Sequence, residues 1–224
     1  MSLDDGSYHK SKRRLKGQNL KQSIIITLIL LTHTCYSIET LIFKINPNIH
    51  NNKNIQFISN KAKGAFGTYL TMNINYSPMR ELFSSFTKSE PNIKLKSRGE
   101  AHITVITPIE YNKVLKNKIT IKEIEQIALK NKIQSSKFEI TCLGRGQKII
   151  DNKNEQTYFI VVKSKNLLDI RTEIQELFIS KGGNPKDFKA NNYYPHITVG
   201  FTKRDLHEND GIIKGKNSCY KEII

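Results

Sequence analysis

Apolar and polar side chains alternate along residues 68–76, 101–107, 137–143, 157–162 and 194–201. A two-residue period puts neighbours on opposite faces, so each stretch is predicted to be a strand. A helical period governs 121–130, where Ile121, Ile124, Ile127 and Ala128 share one face, and 167–180, where Leu168, Ile170, Ile174, Leu177 and Phe178 do. Ser77-Pro78 is predicted to open a third helix reaching residue 86, because a first turn tolerates proline. Gly182, Gly183 and Pro185 stop the last helix. Gly144 and Gly146 are expected to end the 137–143 strand, and residues 151–154 read as a turn, which makes 137–143 and 157–162 a hairpin. The Asn-rich stretch 44–64 reads as a polar loop. The order strand-helix-strand-helix, then strand-strand-helix-strand, predicts an α+β chain of two similar lobes.

The amino terminus follows another pattern. A basic head precedes the apolar run 23–32, and small residues follow at Cys35 and Ser37. That order matches a secretory signal cleaved after Ser37. The run is short for a membrane span, which needs about 20 apolar residues, although a buried strand or helix is the competing reading. The chain thus divides into a head and signal at 1–37, a lead-in at 38–66, a folded domain at 67–212 and a tail at 213–224. Cleavage would place the protein in the secretory pathway or outside the cell with no stable membrane association; otherwise it would be cytoplasmic. Cys142 and Cys219 would remain and could pair in an oxidising compartment. Asn75-Tyr76-Ser77 would then be a glycosylation acceptor.

With 224 residues, 38% of them hydrophobic, the chain can bury a core without depending on disulfides. Lys and Arg number 36 against 20 Asp and Glu, a formal charge of +16. The head holds only a quarter of that excess, so the body is basic too. Such a surplus favours a polyanionic partner such as RNA.

The tetrapeptide His-Ile-Thr-Val occurs at 102–105 and again at 196–199. Within a strand, His102 and Thr104 share one face while Ile103 and Val105 take the other, and His196 with Thr198 repeats the arrangement. Strand propensity explains one such motif. Two of them, each in the last strand of its half, point to a site. Cleavage of a phosphodiester needs one group to take a proton and another to give one, and imidazole does both near neutral pH. Threonine hydroxyls can donate to the nonbridging phosphate oxygens. The scheme calls for no metal and no cofactor. A metal centre gathering His102, His196, His207 and Glu208 is a weaker reading, since no His-x-His, His-Glu-x-x-His or Cys-x-x-Cys spacing occurs.

Paired apolar-His-apolar-Thr-apolar strands over residues 67–212 resemble the 2H phosphoesterase superfamily. More narrowly, residues 97–108 and 194–208 are similar to its fungal Swiss army knife RNA-repair branch. The resemblance implies pseudo-symmetric lobes, each an antiparallel sheet with packed helices, and an active-site cleft between them. It implies His102 and His196 as the acid/base pair, Thr104 and Thr198 as phosphate ligands, and a monomer acting on RNA or a nucleotide with a cyclic or terminal phosphate. It leaves open which histidine is the acid.

Around the motifs, Arg98 and Arg204 could clamp a phosphate, and Tyr194 and Phe201 could stack on a base, as could Tyr69 and Tyr158. Solvated charge and ordinary packing are the plain alternatives for each. The leading expectation is a phosphodiesterase; the alternative is a noncatalytic basic RNA-binding module with the same cleft.

Overall fold

The computed structural model describes residues 42–60 and 66–224. The expectations for the head and signal, Cys35 included, lie outside the described residues. In chain order the described elements are β1 (Ile58–Asn60), β2 (Thr68–Asn73), α1 (Tyr76–Ser89), β3 (His102–Ile106), α2 (Pro108–Lys113), α3 (Ile121–Lys130), β4 (Glu139–Ile150), β5 (Lys153–Lys163), α4 (Lys165–Ser180), β6 (His196–Phe201) and β7 (Cys219–Lys221), with short 3-10 turns between some of them. They form two antiparallel sheets, ordered β1-β2-β3 and β6-β5-β4-β7. The fold is α+β with two lobes.

Local chemistry explains the boundaries. The Asn75 side chain accepts from the Ser77 amide and starts α1 one residue before the expected Ser77. Its amide nitrogen lies 3.5 Å from the Asn48 carbonyl, so a glycan on Asn75 Nδ2 would compete with that contact while the Oδ1 cap stays available. Thr107 with Glu110, and Thr120 with Glu123, form capping boxes on α2 and α3. Ser164 caps α4.

The hairpin is longer than the sequence pattern suggests: β4 continues to Ile150 instead of stopping at Gly144. A Cβ on Gly144 would overlap the Phe159 ring, and one on Gly146 would overlap Ile212. The glycines are there to let side chains cross the strand, and the ladder runs on beneath them. Asp151 and Asn152 both adopt left-handed conformations, φ 52° and 58°, as a tight primed hairpin turn requires.

The last residues belong to the second lobe. β7 pairs with β4, Cys219 is disulfide-bonded to Cys142, and Ile224 exchanges backbone hydrogen bonds with Phe43 and Ile45. Residues 213–224 are therefore a structural strap along the sheet edge, a role their short, mixed sequence does not advertise. The lead-in likewise contributes β1 and the buried Phe43 and Ile49. One hydrophobic core takes residues from both sheets, among them Ile103, Val105, Leu143, Ile160, Ile197 and Val199.

Arg171 of α4 is the largest fully buried side chain. Its Nε donates to the Ala190 carbonyl at 2.9 Å, Nη1 to the Val105 carbonyl at 2.6 Å, and Nη2 to Glu110 Oε1 at 2.8 Å. Weaker bonds reach the carbonyls of Lys189 and Asn192, and the guanidinium lies against Phe188 and Tyr193. One side chain thus ties β3 to the loop that delivers β6. Replacing it leaves several carbonyls unpaired in the interior and takes the cation from the partly exposed Glu110. Arg171→Met is expected to lose about 3–5 kcal/mol of unfolding free energy, measured by urea denaturation; a loss under about 1 kcal/mol would contradict the clamp.

Candidate active site

The two motifs lie on edge strands of different sheets. β3 ends one sheet and β6 ends the other, and their Cα atoms approach within 8 Å. Backbone hydrogen bonds in both directions between Lys96 and Phe201, at 2.8 and 3.0 Å, join the approach to β3 with the end of β6. Burial repeats in the two motifs as the alternation requires. Ile103, Val105, Ile197 and Val199 are buried, whereas His102, Thr104, His196 and Thr198 are partly exposed.

The two imidazoles have different surroundings. His196 Nδ1 lies 2.8 Å from the Tyr194 carbonyl oxygen. A carbonyl only accepts, so this ring carries its proton on Nδ1 and leaves Nε2 with a lone pair. Phe159 meets the ring edge-on. Desolvation, followed by the charge of Lys214, pushes the His196 pKa down to about 3 against the opposing pull of Tyr194 and Asp205. His196 is therefore neutral across the physiological range. His102 instead has a carboxylate beside it, with Glu100 Oε1 3.6 Å from Nδ1.

Asp205 forms the electrostatic centre of the second motif, with its side chain almost wholly buried. Oδ1 accepts from Thr157 Oγ1 and from Lys214 Nζ, each at 2.6 Å, while Oδ2 accepts from Arg98 at 2.7 Å and from Thr198 Oγ1 at 3.0 Å. Burial alone would raise its pKa, but Lys214 and the hydrogen bonds from Lys214 and Thr157 overcome this and hold it well below the carboxylate range. His207 Nε2 stands 3.9 Å away, and desolvation together with Lys214 lowers its pKa. The carboxylate pairs with Arg98 and Lys214, and burial lowers the Lys214 pKa against the opposing pull of Asp205. Arg98, 28% exposed, is the cation of this cluster that an anion beside Thr198 can meet.

Of the other sequence candidates, Arg98 is in this cluster. Arg204 flanks it: both its terminal nitrogens pair with Asp210, at 2.7 and 2.6 Å, and Nη1 also donates to the Asp205 backbone carbonyl at 3.1 Å. Tyr194 contributes its carbonyl to His196, is 38% exposed as a residue and has its ring beside Gly215. Phe201 carries the backbone link to Lys96 and is partly exposed. Tyr158 is fully buried against Phe86, which removes it from any stacking role. Asp205, Lys214 and Thr157 were not singled out from the sequence. The one available signal was Lys214 itself, a lysine set among Ile212, Ile213 and Gly215. Among the described residues no group of three or more His, Cys, Asp or Glu is arranged to hold a metal ion.

The twin His-x-Thr strands, one from each of two antiparallel sheets, are the feature on which the resemblance to the 2H phosphoesterases rests. A family model described as "Swiss Army Knife, 2H phosphoesterase domain" matches residues 68–207, a span that holds both motifs and Asp205, and the chain belongs to that family. Neither the curated proteins nor the solved structures include a significant match. Membership supports a phosphodiesterase-type function in general terms.

Because Lys214 depresses the imidazole pKa, Lys214→Met is expected to raise the pKa of His196, followed by proton NMR of its Cε1–H. An unchanged midpoint would show that the ammonium does not act on the ring. The sign for stability follows from the same shift. A histidine whose folded pKa lies below its ordinary 6.5 contributes stability above that pH and loses it as pH falls toward about 3.

Proposed function

We propose that this protein cleaves a 2',3'-cyclic phosphate, a cyclic nucleotide or an RNA-terminal phosphodiester, with His102 and His196 as the proton-transfer pair. The reading rests most on one observation, the apposition of the two motif strands with both His-Thr faces left partly open.

His196 is the general base. Its Nε2 is free of a proton at neutral pH, so it takes the proton of an attacking water while the water oxygen bonds to phosphorus. His102 is the general acid, with the Glu100 carboxylate 3.6 Å from its Nδ1. It gives its proton to the ester oxygen as the phosphorus–oxygen bond breaks, and a phosphomonoester with a free hydroxyl results. Arg98 and the Thr104 and Thr198 hydroxyls meet the charge on the nonbridging oxygens. The scheme consumes one water and needs no metal ion.

A specific observation keeps the noncatalytic RNA-binding reading in play. The Thr198 hydroxyl donates to Asp205, so it must turn toward a phosphate before it can serve as a ligand. The basic body supports RNA as the partner under either reading. The Cys142–Cys219 disulfide, with the amino-terminal signal pattern, supports passage through an oxidising compartment.

Hydrolysis of nucleoside 2',3'-cyclic phosphates is expected to persist in excess EDTA and to fall by about 10²- to 10⁴-fold in kcat for His102→Ala and His196→Ala separately. Activity retained by both variants would refute the catalytic reading. Salt-sensitive RNA binding with no product from any substrate would favour the noncatalytic one.

A further inference from the structure

A groove of about 380 Å³ opens beside His196. Val161 on its wall is the β-ladder partner of His196, and Tyr194 and Pro195 are the residues immediately before it. The groove therefore adjoins the start of the second motif strand, although His196 itself does not line it. Lys163, Lys165, Lys214 and Lys216 line it, and no Asp or Glu does. Lys165 is paired with Asp169 and Lys214 with Asp205. Lys163 and Lys216 are exposed, and neither has a carboxylate partner among the described residues. Between these charges the floor is apolar, made by Val161, Leu168, Pro195 and the exposed Tyr194.

We propose that this groove binds the nucleotide next to the scissile phosphodiester in a single-stranded RNA, with its base on Tyr194 and the apolar floor and its backbone phosphates on Lys163 and Lys216. The inference rests on the phosphodiesterase reading for its choice of RNA, since a 2',3'-cyclic phosphate requires ribose. A volume of that size suits one nucleotide. Single-strand sites combine unneutralised lysines along the backbone with an aromatic face that accepts any base, which is the composition found here. Glu139 stands opposite Lys163 in the β4–β5 ladder, but neither it nor any other carboxylate lines the groove itself. The groove lies on the His196 side of the motif pair, so it extends the substrate beyond the ring being opened.

The test measures binding, which needs no turnover. A fluorescein-labelled eight-nucleotide RNA is titrated with the full chain, with Lys163→Ala/Lys216→Ala, and with Lys122→Ala/Lys186→Ala, whose exposed lysines lie outside the groove. Fluorescence anisotropy is read over a range of salt. Each phosphate contact contributes about 0.7 to the slope of log affinity against log salt for single strands. The groove variant is expected to lose about tenfold in affinity and about 1.4 in slope, and the control variant less than threefold with its slope kept. Equal losses in the two variants, or no loss in the groove variant, overturn the proposal. So does groove-dependent binding to vesicles of anionic phospholipid with RNA binding intact. Cyclic-phosphate hydrolysis by the unaltered chain is assayed separately. Its absence alongside groove-dependent RNA binding counts against the catalytic reading and leaves the groove standing.

Discussion

The carboxylate of Asp205 is the charge around which this site is arranged. It receives Arg98 from the segment before β3, Thr198 from the second motif, Thr157 from β5 and Lys214 from the carboxy-terminal strap. A buried carboxylate is costly in an apolar interior unless it is neutralised and fully hydrogen-bonded, and here all of its partners come from different segments. Remove it and Lys214, itself 3% exposed, becomes an unpaired buried cation. The pair also sets the chemistry nearby. Lys214 acts on His196 through space and helps keep that imidazole neutral, while Asp205 limits how far its pKa falls.

Two further devices hold the halves of the site together. Arg171 spans from the Val105 carbonyl in β3 to the carbonyls of the loop entering β6, and the Lys96–Phe201 ladder closes the other end. The strap is fastened by β7 and by the Cys142–Cys219 disulfide, which closes a loop of 77 residues. Loop closure of that length limits the unfolded chain far more than the folded one. Lys214 sits on that strap, so the position of a site residue depends on a covalent link five residues further on.

Much of this was legible in the sequence. The strands at β2, β3, β5 and β6, and the span of α3, follow from periodicity, because side chains on one face are buried together. The His-Thr faces were readable for the same reason: Ile103 and Val105 are in the core, so their neighbours cannot be. Other features escaped because periodicity says nothing about them. Gly144 and Gly146 read as breakers, but what they accommodate is the Phe159 ring and Ile212, contacts set by tertiary packing. Arg204 and Asp205 are adjacent charged residues, and their position in the chain does not say which of them is buried. The structure commits Arg204 to Asp210 at the surface and buries Asp205 at the centre. Lys214 looked like part of a tail, and its apolar neighbours Ile212 and Ile213 were too slight a signal to mark it for burial. Its partner is nine residues away and its packing surface is Phe159.

The central claim is that His102 and His196, carried by separate sheets, act on one phosphorus atom. The most direct measurement is a titration of the full chain with inorganic phosphate, following the ring resonances of both histidines by NMR. If the two rings address one anion, both shift along the titration with a single shared dissociation constant. Two unrelated constants, or movement of one ring alone, would contradict the account.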